Sequence, residues 1–133
     1  MKGSSDRVVY MYEPKLLGEE GTINKLISLV PAVVNEYLVV INGDTLTHLD
    51  LSLMFRLSNG KSIRHMDKGV YAGVKILSPD YLQGKNKRII NYFSTSWWQD
   101  CGTFLGIIKA NRYLKQIDKD YKAKHEEKLG SMS

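Results

Sequence analysis

With 133 residues the chain has room for one domain with its own core and too few for two of ordinary size. A composition 43% hydrophobic and 25% charged excludes disordered and fibrous classes, and the longest apolar runs, such as Tyr37 to Ile41, fall far below the ~18 residues of a membrane helix, so no membrane partner is expected. The formal charge of +5 raises a nucleic-acid partner, but Lys115, Lys119, Lys122, Lys124 and Lys128 alternate with Asp118, Asp120, Glu126 and Glu127, which suits a solvated helix end better.

Arg7 to Tyr12 is rich in β-branched and aromatic residues and predicts a short strand closed by Pro14. Leu16 to Gly21 predicts a loop. Ile23, Leu26, Ile27 and Val30 then fall on one helix face, with Pro31 marking its end region. Tyr37 to Ile41 is a continuous apolar run, which suits a strand buried on both faces as in a parallel sheet, and Asn42-Gly43-Asp44 bounds it. A short amphipathic helix follows through Leu51, Met54 and Phe55, capped by Asp50 and closed by Asn59-Gly60.

Lys61 to Lys68 is polar and aperiodic and is expected to be the most mobile loop. Val70 to Leu77 predicts a strand stopped by Ser78-Pro79, with a helical turn around Tyr81 and Leu82. Arg88 to Phe93 and Thr95 to Trp98 are shorter β candidates. From Phe104 onward, Ile107, Ile108, Leu114, Ile117 and Tyr121 trace one face of a long helix. The alternation of strands and helices predicts a single α/β domain over residues 1–133, with ligand groups beyond the carboxyl ends of the strands, where Asp44 stands.

Four segments in order carry a family resemblance. LVVINGDTL, Leu38 to Leu46, resembles the strand-plus-GD motif of the sugar-1-phosphate nucleotidyltransferases, which act on mannose, heptose or glucose 1-phosphate. EPKLLGEEGTI, Glu13 to Ile23, is similar to that family's glycine loop, with Gly18 and Gly21 matching. VYAGVKILSPDYL, Val70 to Leu82, is similar to the strand that lines the sugar pocket, and Gly73 is the matching glycine. WWQDCGTFLGIIKANRYL, Trp97 to Leu114, resembles the W-x-D-x-G-T segment and its helix, through Asp100, Gly102 and Thr103.

The resemblance covers about residues 8–115, leaving 116–133 as a helix end and tail, and it implies a truncated GT-A/Rossmann-like sheet with flanking helices. It implies that Asp44 and Asp100 are catalytic and hold Mg²⁺, that Gly18, Gly21 and Gly43 bind the nucleotide, and that Gly73 contacts the sugar. The substrates implied are an NTP and a sugar 1-phosphate. Two departures accompany it: no GGxGTRL phosphate loop occurs, and only 25 residues, 45 to 69, lie between Asp44 and Val70, where the family places further strands and an E-K-P motif. Glu19 and Glu20 also stand where small residues are usual, adding negative charge where a nucleotide docks.

The readings carried forward are a nucleotidyltransferase-like protein impaired or inactive alone, and a non-catalytic sugar-phosphate-binding or oligomerisation module. In the second, an exposed edge beside Tyr37 to Ile41 recruits another copy into a homodimer. Lys75 reads as a solvated strand residue. Trp97 and Trp98 read as core aromatics, of which at most one meets a ligand. His48, His65 and His125 show no zinc spacing and are placed outside catalysis. The single cysteine, Cys101, reads as a small buried side chain; one unpaired cysteine and the lack of a signal-like start suit a reducing cytoplasm.

Overall fold

A computed structural model of the protein describes residues 8–132, with side chains through 126. Arg7, the first residue of the expected N-terminal strand, and the side chains of Glu127 and Lys128 lie outside the described residues. Helix α1 spans Gly18–Leu29 and leads through a 3₁₀ turn, Pro31–Asn35, into strands β1 (Leu38–Ile41) and β2 (Thr45–Thr47). Helix α2 (Leu51–Ser58), strands β3 (Ser62–Asp67) and β4 (Val70–Leu77), and the short helix α3 (Pro79–Leu82) follow. Strands β5 (Ile89–Phe93) and β6 (Trp98–Asp100) precede the long helix α4 (Phe104–Met132).

The main sheet has the order β1-β4-β3-β5. Its first two pairings are antiparallel and the β3–β5 pairing is parallel, while β2 and β6 form a separate antiparallel ladder. The fold is thus a small mixed α/β domain. Strand β4 is its centre, with Ala72, Val74, Ile76 and Leu77 at most 1% exposed. Because successive strand residues point to opposite faces, β4 serves two cores. Val74 and Ile76 pack with Ile63 and with Met54 of α2 on one face, while Leu77 packs with Ile23 of α1 and with Tyr81 and Leu82 of α3 on the other.

The caps follow the sequence. The Asp50 carboxylate accepts from the Leu53 amide at 3.0 Å, and Asn59 closes α2 in the left-handed region at φ 48°. Ser78 accepts from the Tyr81 amide to start α3.

Four expectations are corrected. Val8 to Tyr12 forms no strand, and Tyr10 is 93% exposed; β propensity forms no ladder without a neighbouring strand, and among the described residues only the Tyr12 carbonyl is held, by Lys25. Strand β1 is an antiparallel edge strand, half-buried in alternation, since β4 covers one side and no strand covers the other among the described residues. An unbroken apolar run does not reveal by itself whether both faces are covered.

Lys61 to Lys68 holds a strand, β3, paired on both sides, in place of a loop. Two of its polar residues are buried: the Ser62 hydroxyl donates to Ser78 Oγ at 3.1 Å and accepts from the Ser78 amide at 2.8 Å, and His65 Nε2 lies 3.2 Å from the Ser94 carbonyl while its Nδ1 meets no partner among the described residues. The late β candidate falls further on, at Trp98–Asp100, because Thr47↔Trp98 through Thr45↔Asp100 is the register that pairs it.

Helix α4 forms as expected, but the body buries only Gly106 and Ala110 of its described side, and Ile107, Leu114 and Tyr121 remain 45–60% exposed. No described helix is long and apolar enough to cross a membrane. Met54 is completely buried between α2 and the sheet. Met54→Ala is expected to lower the unfolding free energy by ~2–5 kcal/mol through lost burial and the cavity left behind, read from the urea midpoint.

Candidate functional site

The β2–β6 ladder builds the site. Three register pairs, Thr45↔Asp100, Leu46↔Gln99 and Thr47↔Trp98, are extended at both ends, by the Cys101 amide donating to the Asp44 carbonyl at 2.7 Å and the His48 amide donating to Trp97 at 2.9 Å. The ladder is anchored on the aromatic side by Trp97, which stacks on Tyr113 of α4 at 3.9 Å between ring centres, with His48 edge-on to both. The Trp98 indole N–H donates to Asp67 at 3.0 Å. Both tryptophans and His48 therefore fix the ladder to α4 and to the β3–β4 turn.

Asp44 and Asp100 leave the same end of this ladder, and both are exposed. They converge on Gly102. A β-carbon there would stand 2.9 Å from Asp44 Oδ2 and 3.0 Å from Asp100 Oδ1, so both carboxylates border one small volume that glycine keeps open. The Gly102 amide donates to Asp100 Oδ1 at 2.7 Å, which orients that carboxylate. Among the described residues no protein donor meets Asp44 Oδ2, and no third His, Cys, Asp or Glu joins the pair in a metal-holding group. Two hard carboxylate oxygens around an open volume fit Mg²⁺, which usually takes one or two carboxylates and completes its shell with phosphate oxygens and water.

Asp100 is not the cap of α4; Thr103 caps that helix by accepting from the Gly106 amide at 3.1 Å. A second glycine matters as much as Gly102. A β-carbon at Gly106 would fall 2.0 Å from the Asp100 carbonyl oxygen, so only glycine allows the first turn of α4 to press against β6. The Gly102-x₃-Gly106 spacing was the available sequence signal, because glycine early in a helix is unfavourable unless something approaches closely.

Gly73 lies where β4 passes under β2. Its φ is +83° and a β-carbon would meet Thr45 Oγ1 at 2.6 Å, while its carbonyl accepts from the Asn42 amide at 2.9 Å. Its glycine character is thus accounted for by seating Thr45, next to Asp44. Gly43 is in the turn that the Thr45 amide closes onto the Asn42 carbonyl at 3.1 Å.

The predicted glycine loop is the first turn of α1. Gly18 opens the helix at φ +70°, and Gly21 lets the chain fold over Leu17, whose Cβ would lie 2.7 Å from an added β-carbon. The acidic residues between them are used structurally. Glu19 pairs with Lys75, which is 9% exposed, so the solvated reading of Lys75 is corrected; Glu20 accepts from the Tyr81 hydroxyl. Thus α1 is clamped over β4 at Lys75, Gly73 seats Thr45 two residues away, and Thr45 pairs with Asp100. The structure brings Asp44 and Asp100 directly together; Gly73 supports them from below, and Gly18 and Gly21 stand apart on α1.

A separate open groove of about 460 Å³ lies at the carboxyl ends of the parallel strands β3 and β5, bordered by Asp67, Lys68, Tyr92, Phe93 and Thr95 among others. None of the six candidate residues lines it. Cys101 is half-buried, its thiol 3.8 Å from the Gln99 carbonyl. The chain matches no protein-family model and no curated protein.

Burial, helped by the hydrogen bond to Glu20 and the charges of Glu20 and Glu19, pushes the Tyr81 phenol up to about 12. Unfolded chain ionises this phenol near its ordinary value of 10, before the folded protein does. The stability held by Tyr81 is therefore intact below pH 10 and lost as the pH climbs to about 12. Urea midpoints across that window are expected to fall more steeply for the wild type than for Tyr81→Phe. Gly73→Ala combines a positive φ with the Thr45 contact and is expected to cost ~2 kcal/mol or more in the same denaturation experiment.

Proposed function

We propose that the chain is a sugar-1-phosphate nucleotidyltransferase-like domain that binds a divalent cation between Asp44 and Asp100 and, through it, the phosphate of a sugar 1-phosphate. On this reading the mixed sheet corresponds to part of a GT-A/Rossmann-like nucleotidyltransferase sheet. The observation that carries the proposal is the convergence of the two carboxylates on Gly102, at 2.9 and 3.0 Å from one point. The ordered resemblance points to the same two aspartates, from segments 56 positions apart, 44 and 100.

A bound Mg²⁺ would supply charge neutralisation and orientation of the phosphate oxygens. The chain's own share is positional: the β2–β6 ladder sets the spacing of the carboxylates, the Gly102 amide turns Asp100 inward, and Gly73 with Thr45 holds Asp44 over the sheet. Sugar contact at Gly73 and nucleotide contact at Gly18, Gly21 and Gly43 belong to the same proposal and rest on the resemblance.

Nucleotidyl transfer by this chain alone is proposed to be impaired. The glycine segment is the first turn of α1, and its two carboxylates, paired with Lys75 and Tyr81, put negative charge where a triphosphate would dock. The homodimer reading is favoured by one observation of its own, the open outer edge of β1, on which Val39 and Ile41 are 45% and 49% exposed.

Calorimetric titration of glucose 1-phosphate in the presence and absence of Mg²⁺ tests the site. Mg²⁺ is expected to add a tighter binding event, and Asp44→Asn and Asp100→Asn should each weaken that Mg²⁺-dependent binding about tenfold or more, the scale of one lost charge-assisted contact. Gly102→Ala, which fills the volume between the carboxylates, should weaken binding similarly while leaving the unfolding midpoint nearly unchanged. Mg²⁺-dependent binding that survives all three substitutions would place the site elsewhere.

A further inference from the structure

The sheet face under α1 carries a polar cluster that the reading above does not use. Lys75, buried in the middle of β4, has Glu19 as its sole ion-pair partner among the described residues. Arg64 is its register partner on β3, with Nε donating to Asn91 Oδ1 at 2.7 Å. Tyr71 lies four residues before Lys75 on the same face of β4, and the ammonium is 5.5 Å from its ring centre. The Tyr71 hydroxyl is buried without a hydrogen-bond partner among the described residues. Burial and the nearby Glu19 charge push that phenol up to about 12, against a smaller opposing effect of Arg64, so it is a neutral O–H donor at physiological pH.

A buried cation with a single carboxylate partner thus lies beside an unused donor, and a second cation, Arg64, stands next to it in the sheet. A carboxylate has two oxygens in one plane; that of Glu19 serves Lys75 and leaves the Tyr71 hydroxyl unmet. A phosphate group presents its oxygens tetrahedrally and is able to accept from an ammonium, a guanidinium and a phenol together. Glu19 also has room to leave: its side chain is 40% exposed, and it follows Gly18, at which an added β-carbon would meet nothing within 4 Å. Once Glu19 swings out, buried Lys75 requires another anion.

We propose that Lys75, Tyr71 and Arg64 form a second anion site, for inorganic phosphate or a phosphate monoester, which Glu19 fills as an internal, displaceable carboxylate. The site is cationic and needs no metal, which separates it from Asp44 and Asp100. Glu19→Gln keeps the side chain's size and removes the competing charge. In EDTA, the intact Glu19→Gln chain is expected to bind inorganic phosphate or glucose 1-phosphate about tenfold or more tightly than wild type, the worth of one charge-assisted contact.

Adding Asp44→Asn should leave that gain in place, and adding Tyr71→Phe should remove most of it. The tighter of the two ligands distinguishes free phosphate from a monoester as the natural occupant. A natively folded Glu19→Gln chain that binds neither ligand more tightly than wild type, or whose gain survives Tyr71→Phe, overturns the proposal. Should Glu19→Gln fail to fold, amide exchange of the wild type in EDTA decides: phosphate is expected to speed exchange in the first turn of α1 as Glu19 is released, and unchanged exchange at saturating phosphate counts against the site.

Discussion

Thr45 to Thr47 run antiparallel to Trp98 to Asp100, and on this three-rung ladder the rest of the candidate site depends. A ladder so short has little stability of its own. It persists because its flanks are held elsewhere: Trp97 stacks on Tyr113, Trp98 bonds to Asp67, and Thr45 sits on Gly73 where a side chain would collide. Each anchor reaches a different element, namely α4, the β3–β4 turn and β4. The carboxylates at the ladder's end inherit their spacing from all three.

Glycine is the recurring device in this arrangement. At Gly73 and Gly106 it allows backbone to approach at distances a β-carbon would forbid, and at Gly102 it keeps the volume between the carboxylates open. The conformational cost of glycine is offset by close packing at the first two positions. At Gly102 no packing gain is visible, which is why that position bears most directly on a ligand. The acidic turn of α1 works in the opposite direction. There Glu19 and Glu20 reach Lys75 of β4 and Tyr81 of α3, so the helix is held to the body by the residues that set this glycine segment apart from the resemblance.

What the sequence made legible was local. Val70 to Leu77 declared itself through its β-branched and apolar content between firm stops, and the caps Asp50 and Ser78 are rules of one helical turn. What stayed hidden depended on partners far along the chain. Ser62 and His65 pass as core residues because Ser78 and Ser94 meet them, 16 and 29 positions away, and a polar stretch gives no sign of such partners. Val8 to Tyr12 failed conversely, as good strand material with no strand beside it. The aspartates were visible only through the ordered resemblance, since a lone aspartate after a strand or before a helix is ordinary turn or cap chemistry. The Gly102 and Gly106 contacts and the Glu19–Lys75 clamp became visible only with the fold.

The central claim is that Asp44 and Asp100 share one cation over Gly102. Substoichiometric Mn²⁺ added to isotopically labelled protein tests it most directly, because paramagnetic broadening of amide resonances falls off steeply with distance from the ion. The account predicts that the amides of Asp44, Thr45, Cys101 and Gly102 broaden first and together, and that Mg²⁺ reverses the effect. Broadening centred on Asp118 and Asp120 of α4, or on Asp67, with those four amides untouched, would contradict it.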